Sequence, residues 1–111
     1  MYEYRATLVR IIDADTFRMD VDLGMHVHTM ANIRLVGVSA MELSTPEGKA
    51  ARDLVAEWWG GSFEPGEPVV LRTLRDRKSF DRWLGTMFDG EVNINYLLME
   101  MLEAAGLAGG A

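Results

Sequence analysis

The sequence predicts an α+β fold, a five-stranded β-barrel carrying two helices, as one domain over residues 1–111. Three observations predict it. Residues 16–23 alternate apolar and polar side chains with a period of two, Thr45-Pro46-Glu47 is a strong helix start, and a 3.6-residue apolar repeat follows Asn93.

Residues 2–12 are rich in β-branched and aromatic side chains and end at the turn-prone Asp13-Ala14-Asp15, which predicts a first strand. In the second, Phe17, Met19, Val21 and Leu23 alternate with Thr16, Arg18, Asp20 and Asp22, and Gly24 stops it. A third strand over residues 29–38 sets Ala31, Ile33 and Leu35 on one face and Asn32 and Arg34 on the other. A loop over residues 39–44 leads to a helix with Thr45 as N-cap, Pro46 at its first position and an acidic first turn. Ala51, Leu54, Val55 and Trp58 give that helix an apolar stripe, and Gly60-Gly61 is its expected end.

Residues 67–74 then predict a fourth strand and residues 83–88 a fifth, closed by the turn Asp89-Gly90. Ile94, Leu97, Leu98, Met101, Leu102 and Ala105 fit a second helix, capped by Asn93 and followed by a Gly/Ala tail, residues 106–111, expected to fray. Three strands, a helix, two strands and a helix is the order that a Greek-key OB barrel requires.

The composition, 49% hydrophobic and 25% charged, is that of an ordinary globular chain with enough apolar surface for one core. No apolar run is long enough to span a bilayer and the first residues lack a secretory pattern, so the expected location is the cytoplasm, with no membrane partner. The absence of cysteine excludes disulfides, thiolate metal sites and cysteine nucleophiles. A net charge of −6 argues against coating nucleic acid through overall electrostatics. Even so, five of the eleven basic residues, Arg72, Arg75, Arg77, Lys78 and Arg82, fall within residues 71–82. That segment is either a phosphate-binding track or a solvated strand and loop.

His26 and His28 stand two apart without a third ligand, a pattern better read as an exposed strand edge than a metal site. The eight methionines are best read as core filler. Asp13 and Asp15 at one turn, Glu42 in the loop after the third strand, and Arg34 and Arg82 in or beside strands are the parts a phosphodiesterase needs. Carboxylates hold a hard cation, a base activates water, and guanidinium groups neutralise the charge that develops on phosphorus. In a chain with 17 acidic and 11 basic side chains the same residues also fit solvated turns.

By themselves these residues favour the solvated-turn reading, and motifs in order along the chain tip the balance the other way. Residues 11–16, Ile-Ile-Asp-Ala-Asp-Thr, resemble the V-I-D-G-D-T turn of the staphylococcal-nuclease (thermonuclease-like) family, and residues 33–42, Ile-Arg-Leu-Val-Gly-Val-Ser-Ala-Met-Glu, resemble its R-L-x-G-I-D-A-P-E segment. Residues 45–52 resemble the helix start common in that group. Phe80-Asp81-Arg82-Trp83-Leu84 is similar to K-Y-G-R-x-L, and Val92-Asn93 with the following helix is similar to the V-N-x-x-L ending. The match is collinear from about residue 4 to residue 107.

The resemblance implies an OB-fold nuclease that hydrolyses phosphodiester bonds of single-stranded or locally opened DNA or RNA with calcium. It makes Asp15 a carboxylate ligand and the Ala40 carbonyl another, with Asp13 and Ser39 as further candidates. Glu42 becomes the general base, and Arg34 and Arg82 the phosphate ligands. Arg72, Arg75, Arg77, Lys78 and Phe80 become the nucleic-acid-binding segment. Short members of this kind resemble phage or actinobacterial sequences.

Four departures bear on activity. Ser39 stands where the family has a second metal-binding aspartate, and losing one charge-assisted contact, roughly 1.5–3 kcal/mol, weakens metal binding by about one to two orders of magnitude. Met41 replaces a proline before Glu42, Ala14 a glycine, and Phe80 a tyrosine. Two other readings therefore stand beside the nuclease. One is a catalytically degenerate OB module that binds nucleic acid; the other is a structural or assembly component, phage-encoded for example, that binds a protein partner or a second copy of itself.

Overall fold

Alternation along the strands decides which side of the sheet is buried. Phe17, Met19 and Val21 point into the core while Arg18, Asp20 and Asp22 stay outside, and Ile33 and Leu35 are buried to 1% exposure beside them. The structure, a computed structural model, describes residues 2–75 and 82–109, and of residues 75 and 82 the backbone alone. Its strands are β1 (Tyr2–Asp13), β2 (Thr16–Asp22), β3 (His28–Leu35), β4 (Val69–Arg75), β5 (Arg82–Asp89) and the short β6 (Val92–Asn93). Helix α1 (Pro46–Ser62) lies between β3 and β4, and α2 (Ile94–Ala104) follows β6.

The sheet order β3-β2-β1-β4-β5-β6 closes on itself through a parallel β3–β5 pairing, in which Asn32 is opposite Arg82 and Leu35 opposite Gly85. The first five strands form the expected OB-like barrel. Closure removes free edges from β3 and β5 and leaves the turns at the barrel ends to carry polar side chains. The apolar interior is continuous with the inner faces of both helices, where Ala51, Val55, Leu98 and Leu102 are fully buried. The methionines divide: Met19 and Met87 fill the core, whereas Met25 and Met30 are exposed.

Three local outcomes differ from the sequence reading. Helix α1 runs through Gly60-Gly61 to Ser62, because Phe63 docks on Trp59 with ring centroids 4.5 Å apart and Trp59 meets Phe17 edge-on at 5.6 Å. That aromatic burial outweighs the helix cost of two glycines, about 1 kcal/mol each. Strand β3 ends at Leu35 rather than Val38, since Gly37 takes φ +76 and the Val38 amide bonds back to the Leu35 carbonyl at 3.3 Å. The tail does not fray over residues 106–109. Leu107 and Ala108 pack on the core, Ala108 bridges Ala40, and the Gly109 amide donates to the Ser39 carbonyl at 2.8 Å.

Candidate functional site

One end of the barrel gathers the β1–β2 turn, the end of β3 and the loop that follows it. The turn has two residues, Ala14 and Asp15, between Asp13 and Thr16, which are paired in register. Ala14 is fully buried and lies outside the left-handed region, so this turn makes no demand for glycine. The Asp15 amide donates to Asp13 Oδ1 at 3.2 Å and the Thr16 hydroxyl to Asp15 Oδ1 at 3.2 Å. Burial, and then the neighbouring Asp15 carboxylate, push the Asp13 pKa from 3.8 up to about 6.

Arg34 reaches this turn from β3, where it is opposite Thr16. Its Nη1 donates to the carbonyls of Val38 at 2.6 Å, Leu35 at 2.8 Å and Asp15 at 3.4 Å. Nη2 lies 3.6 Å from Asp15 Oδ2, and the side chain keeps 28% of its surface open to solvent. One side of the guanidinium is thus anchored to backbone, which pre-orients the Nη2–Nε edge next to a carboxylate. A planar fork held in this way suits a phosphate oxygen pair.

Ser39 and Ala40 follow directly and are held from behind by the tail through the Ala40–Ala108 bridge and the Gly109–Ser39 bond. Glu42 is exposed, and its carbonyl accepts from the Thr45 amide at 3.0 Å and the Thr45 hydroxyl at 2.6 Å. Thr45 Oγ1 in turn accepts from the Gly48 amide at 3.0 Å, so the N-cap of α1 and the Glu42 loop form one unit. Gly48 is the contact point. A Cβ there would lie 1.8 Å from the Glu42 carbonyl oxygen, a fit that only glycine permits.

Asp13 and Asp15 share one turn, whereas the Ser39 hydroxyl and the Ala40 carbonyl lie against Gly109 of the tail, 2.6 and 2.7 Å from where a Cβ on that glycine would stand. Among the described residues no three acidic or histidine side chains converge. Two carboxylates with neutral oxygens fit a cation that keeps several waters, and do not make an all-protein cage.

The remaining sequence-predicted residues lie elsewhere or outside the description. Arg72, on β4, pairs with Glu3 and stacks its guanidinium 4.6 Å from the Phe88 ring centroid, so its charge is engaged within the fold. Arg75 and Arg82 belong to β4 and β5 by backbone, and their side chains are outside the described residues, as are Arg77, Lys78 and Phe80. His26 sits in the β2–β3 turn at φ +63, while His28 Nδ1 lies 2.9 Å from Asp20 Oδ1. The two histidines have separate surroundings.

Two residues the sequence reading did not single out support the site. Gly48 is one. The other is Asn95, 3% exposed, whose amide accepts from the Met87 amide and donates to the carbonyls of Val36 and Gly85 at 2.9–3.0 Å. Asn95 ties α2 to β5 and to the turn that Arg34 caps. A buried asparagine one residue into a helix carries no periodic signal, because its partners are backbone groups distant in sequence.

A cleft of about 670 Å³ opens on the far side of that turn, between β5 and α2, and is lined by Val36, Thr86, Tyr96, Glu100 and Glu103. The neighbouring Glu100 carboxylate raises the pKa of Tyr96 above its ordinary value. This acidic rim is the wrong sign for phosphate. Among the described residues no helix is long and apolar enough to cross a membrane. No protein-family model matches the chain and no curated protein is significantly similar to it, so a functional reading rests on the geometry of Arg34, Asp15 and Asp13 and on the motifs that contain these residues and Glu42.

Proposed function

We propose that the chain is a staphylococcal-nuclease-like phosphodiesterase that acts on single-stranded or locally opened DNA or RNA. The observation that carries the reading is the Arg34 guanidinium, anchored by Nη1 to three carbonyls while Nη2 faces the Asp15 carboxylate at 3.6 Å. A cation-carboxylate pair of this kind can divide the two halves of a phosphate-binding task. Arg34 takes the phosphoryl oxygens, and Asp15, with Asp13 and the Ser39–Ala40 oxygens, takes a calcium ion.

Calcium bound there would add positive charge beside the scissile phosphate. The chain's own groups do the rest. Arg34 neutralises charge that builds on the equatorial oxygens, Glu42 accepts a proton from the attacking water, and Arg82 is assigned to the phosphate by the resemblance alone. The Glu42 side chain is exposed, and its carbonyl accepts from Thr45 and lies close against Gly48.

A second reading is favoured by the two-carboxylate donor set. With Ser39 in place of an aspartate, and with no third acid converging among the described residues, the same site would bind phosphate without hydrolysing it. The chain is then a nucleic-acid-binding OB module.

Cleavage of a fluorescent single-stranded oligonucleotide with calcium, with chelator, and with Glu42→Ala separates the two. Calcium-dependent cleavage lost in Glu42→Ala supports the phosphodiesterase. Binding without cleavage in the wild type, with cleavage gained by Ser39→Asp, supports the non-catalytic module and locates the defect at the metal.

A further inference from the structure

The outer face of β1, β2 and β3 carries a row of side chains at one level: Arg10 is the register partner of Arg18, and Arg18 of Asn32. Directly opposed residues on neighbouring strands project from the same face, about 5 Å apart. Arg18 lies outside because Phe17 and Met19 on either side are fully buried. Arg10 joins it through a bulge. Leu8 pairs with Met19 and Arg10 with Arg18, so Val9 is an extra residue that shifts the alternation of β1 by one. Were Val9 instead paired in regular alternation, Leu8 and Arg10 would share a face, and Arg10 would turn toward the barrel interior.

This placement costs stability. Two like charges directly opposite on antiparallel strands repel, and among the described residues no carboxylate lies within ion-pair distance of either guanidinium. Arg18 Nη1 is instead held by Asn32 Oδ1 at 2.9 Å, a neutral acceptor that orients the group and leaves its charge uncompensated. Asn32 precedes Arg34 by two residues, so Arg34 stands one pleat along the same face, about 7 Å away.

We propose that Arg10 and Arg18, brought level by the bulge at Val9 and oriented through Asn32, form a track for the phosphates of a single-stranded nucleic acid that leads across the barrel to Arg34. The proposal deepens the reading of Arg34 as a phosphate ligand and rests on it for the direction of the strand. An acidic peptide is the weaker occupant. Recognition of an extended peptide uses a free sheet edge and alternating pockets, whereas β1 and β2 are interior strands of a closed barrel. Phosphate binding needs positioned cations and nothing more, and gives sequence-independent, salt-sensitive affinity.

The test is fluorescence anisotropy of a labelled oligothymidylate with the intact chain, in chelator so that cleavage is silent, over a series of salt concentrations. Arg10→Gln and Arg18→Gln are each expected to weaken binding about three- to tenfold at low salt and to reduce the log–log salt slope by about 0.7. Arg52→Gln on α1, which removes a charge beside Asp53, is expected to leave both unchanged. Equal losses in all three variants reduce the effect to net charge and overturn the track. Wild-type affinity and slope in Arg10→Gln and Arg18→Gln overturn it as well, even if the protein cleaves. Tighter competition by polyglutamate than by unlabelled oligothymidylate would assign the row to an acidic protein. Binding that depends on both arginines in a protein that never cleaves upholds the track and removes the nuclease. Thermal melts of each variant verify folding.

Discussion

Arg34 and Asp15 meet across the β2–β3 pair, and the same guanidinium that faces the Asp15 carboxylate also closes the turn between Leu35 and Val38. Arg34→Lys keeps the charge but replaces a planar fork by a single ammonium, which cannot serve the three carbonyls and a phosphate together. It is expected to lower stability by about 1–3 kcal/mol, measured by urea denaturation, and to reduce oligonucleotide cleavage more than Arg52→Lys does. Unchanged stability would show that the carbonyl contacts do not hold the turn.

Asp13 makes stability depend on pH in a direction opposite to that of a salt-bridged carboxylate. Its folded pKa of about 6 stands above the unfolded value of 3.8, so the folded state binds the proton more tightly. This stabilising contribution is fully present below about pH 4 and is lost as pH rises through 6. Solvent screening of a partly exposed pair reduces the effect at pH 7 to about 1 kcal/mol. Asp13→Asn is expected to remove the slope between pH 4 and 6 and to stabilise the protein at pH 7 by that amount. Carboxyl titration by NMR checks it directly. A midpoint near 3.8 would mean that burial and the Asp15 charge do not bear on this group.

At Gly48 the usual sign of a glycine-to-alanine change in a helix reverses. In an open helix the substitution gains about 1 kcal/mol, but here the new methyl would lie 1.8 Å from the Glu42 carbonyl oxygen and 2.8 Å from that of Met41. Both obstacles are backbone, so the 41–42 loop must move. Gly48→Ala is expected to destabilise by about 1–3 kcal/mol and to lower cleavage by misplacing Glu42, while Gly60→Ala, with open space around it, is expected to stabilise. Stabilisation by both would refute the tight seating of the loop.

Much of this was legible in the sequence where local physics decides. The alternation of Phe17, Met19 and Val21, the Thr45 cap and the Asn93 cap are each set by near neighbours, and each is present in the structure. The Asp13–Asp15 turn was legible because Asp13-Ala14-Asp15 is turn-prone by local chemistry, whereas the approach of Arg34 to Asp15 needs the β2–β3 pairing. Gly48, Asn95 and the tail were not. Their roles depend on backbone groups that the fold brings from 6 to 70 residues away, Glu42 for Gly48, Val36 for Asn95 and Ser39 for Gly109. The Val9 bulge escaped for a similar reason, since period-two reading assumes that no residue is inserted.

That bulge leads to the last prediction, which separates the cost of the Arg10–Arg18 pair from its use. Threonine at position 10 fits a strand face and removes the repulsion, so Arg10→Thr is expected to stabilise the barrel by about 0.2–1 kcal/mol in low salt, and by less in high salt, where screening already weakens the repulsion. The same substitution is expected to weaken oligonucleotide binding. Opposite signs for folding and binding in one variant would mark Arg10 as a residue placed for a ligand at the expense of the fold. A loss of both would make Arg10 a structural residue, and thermal melts at two salt concentrations beside the anisotropy titration decide between them.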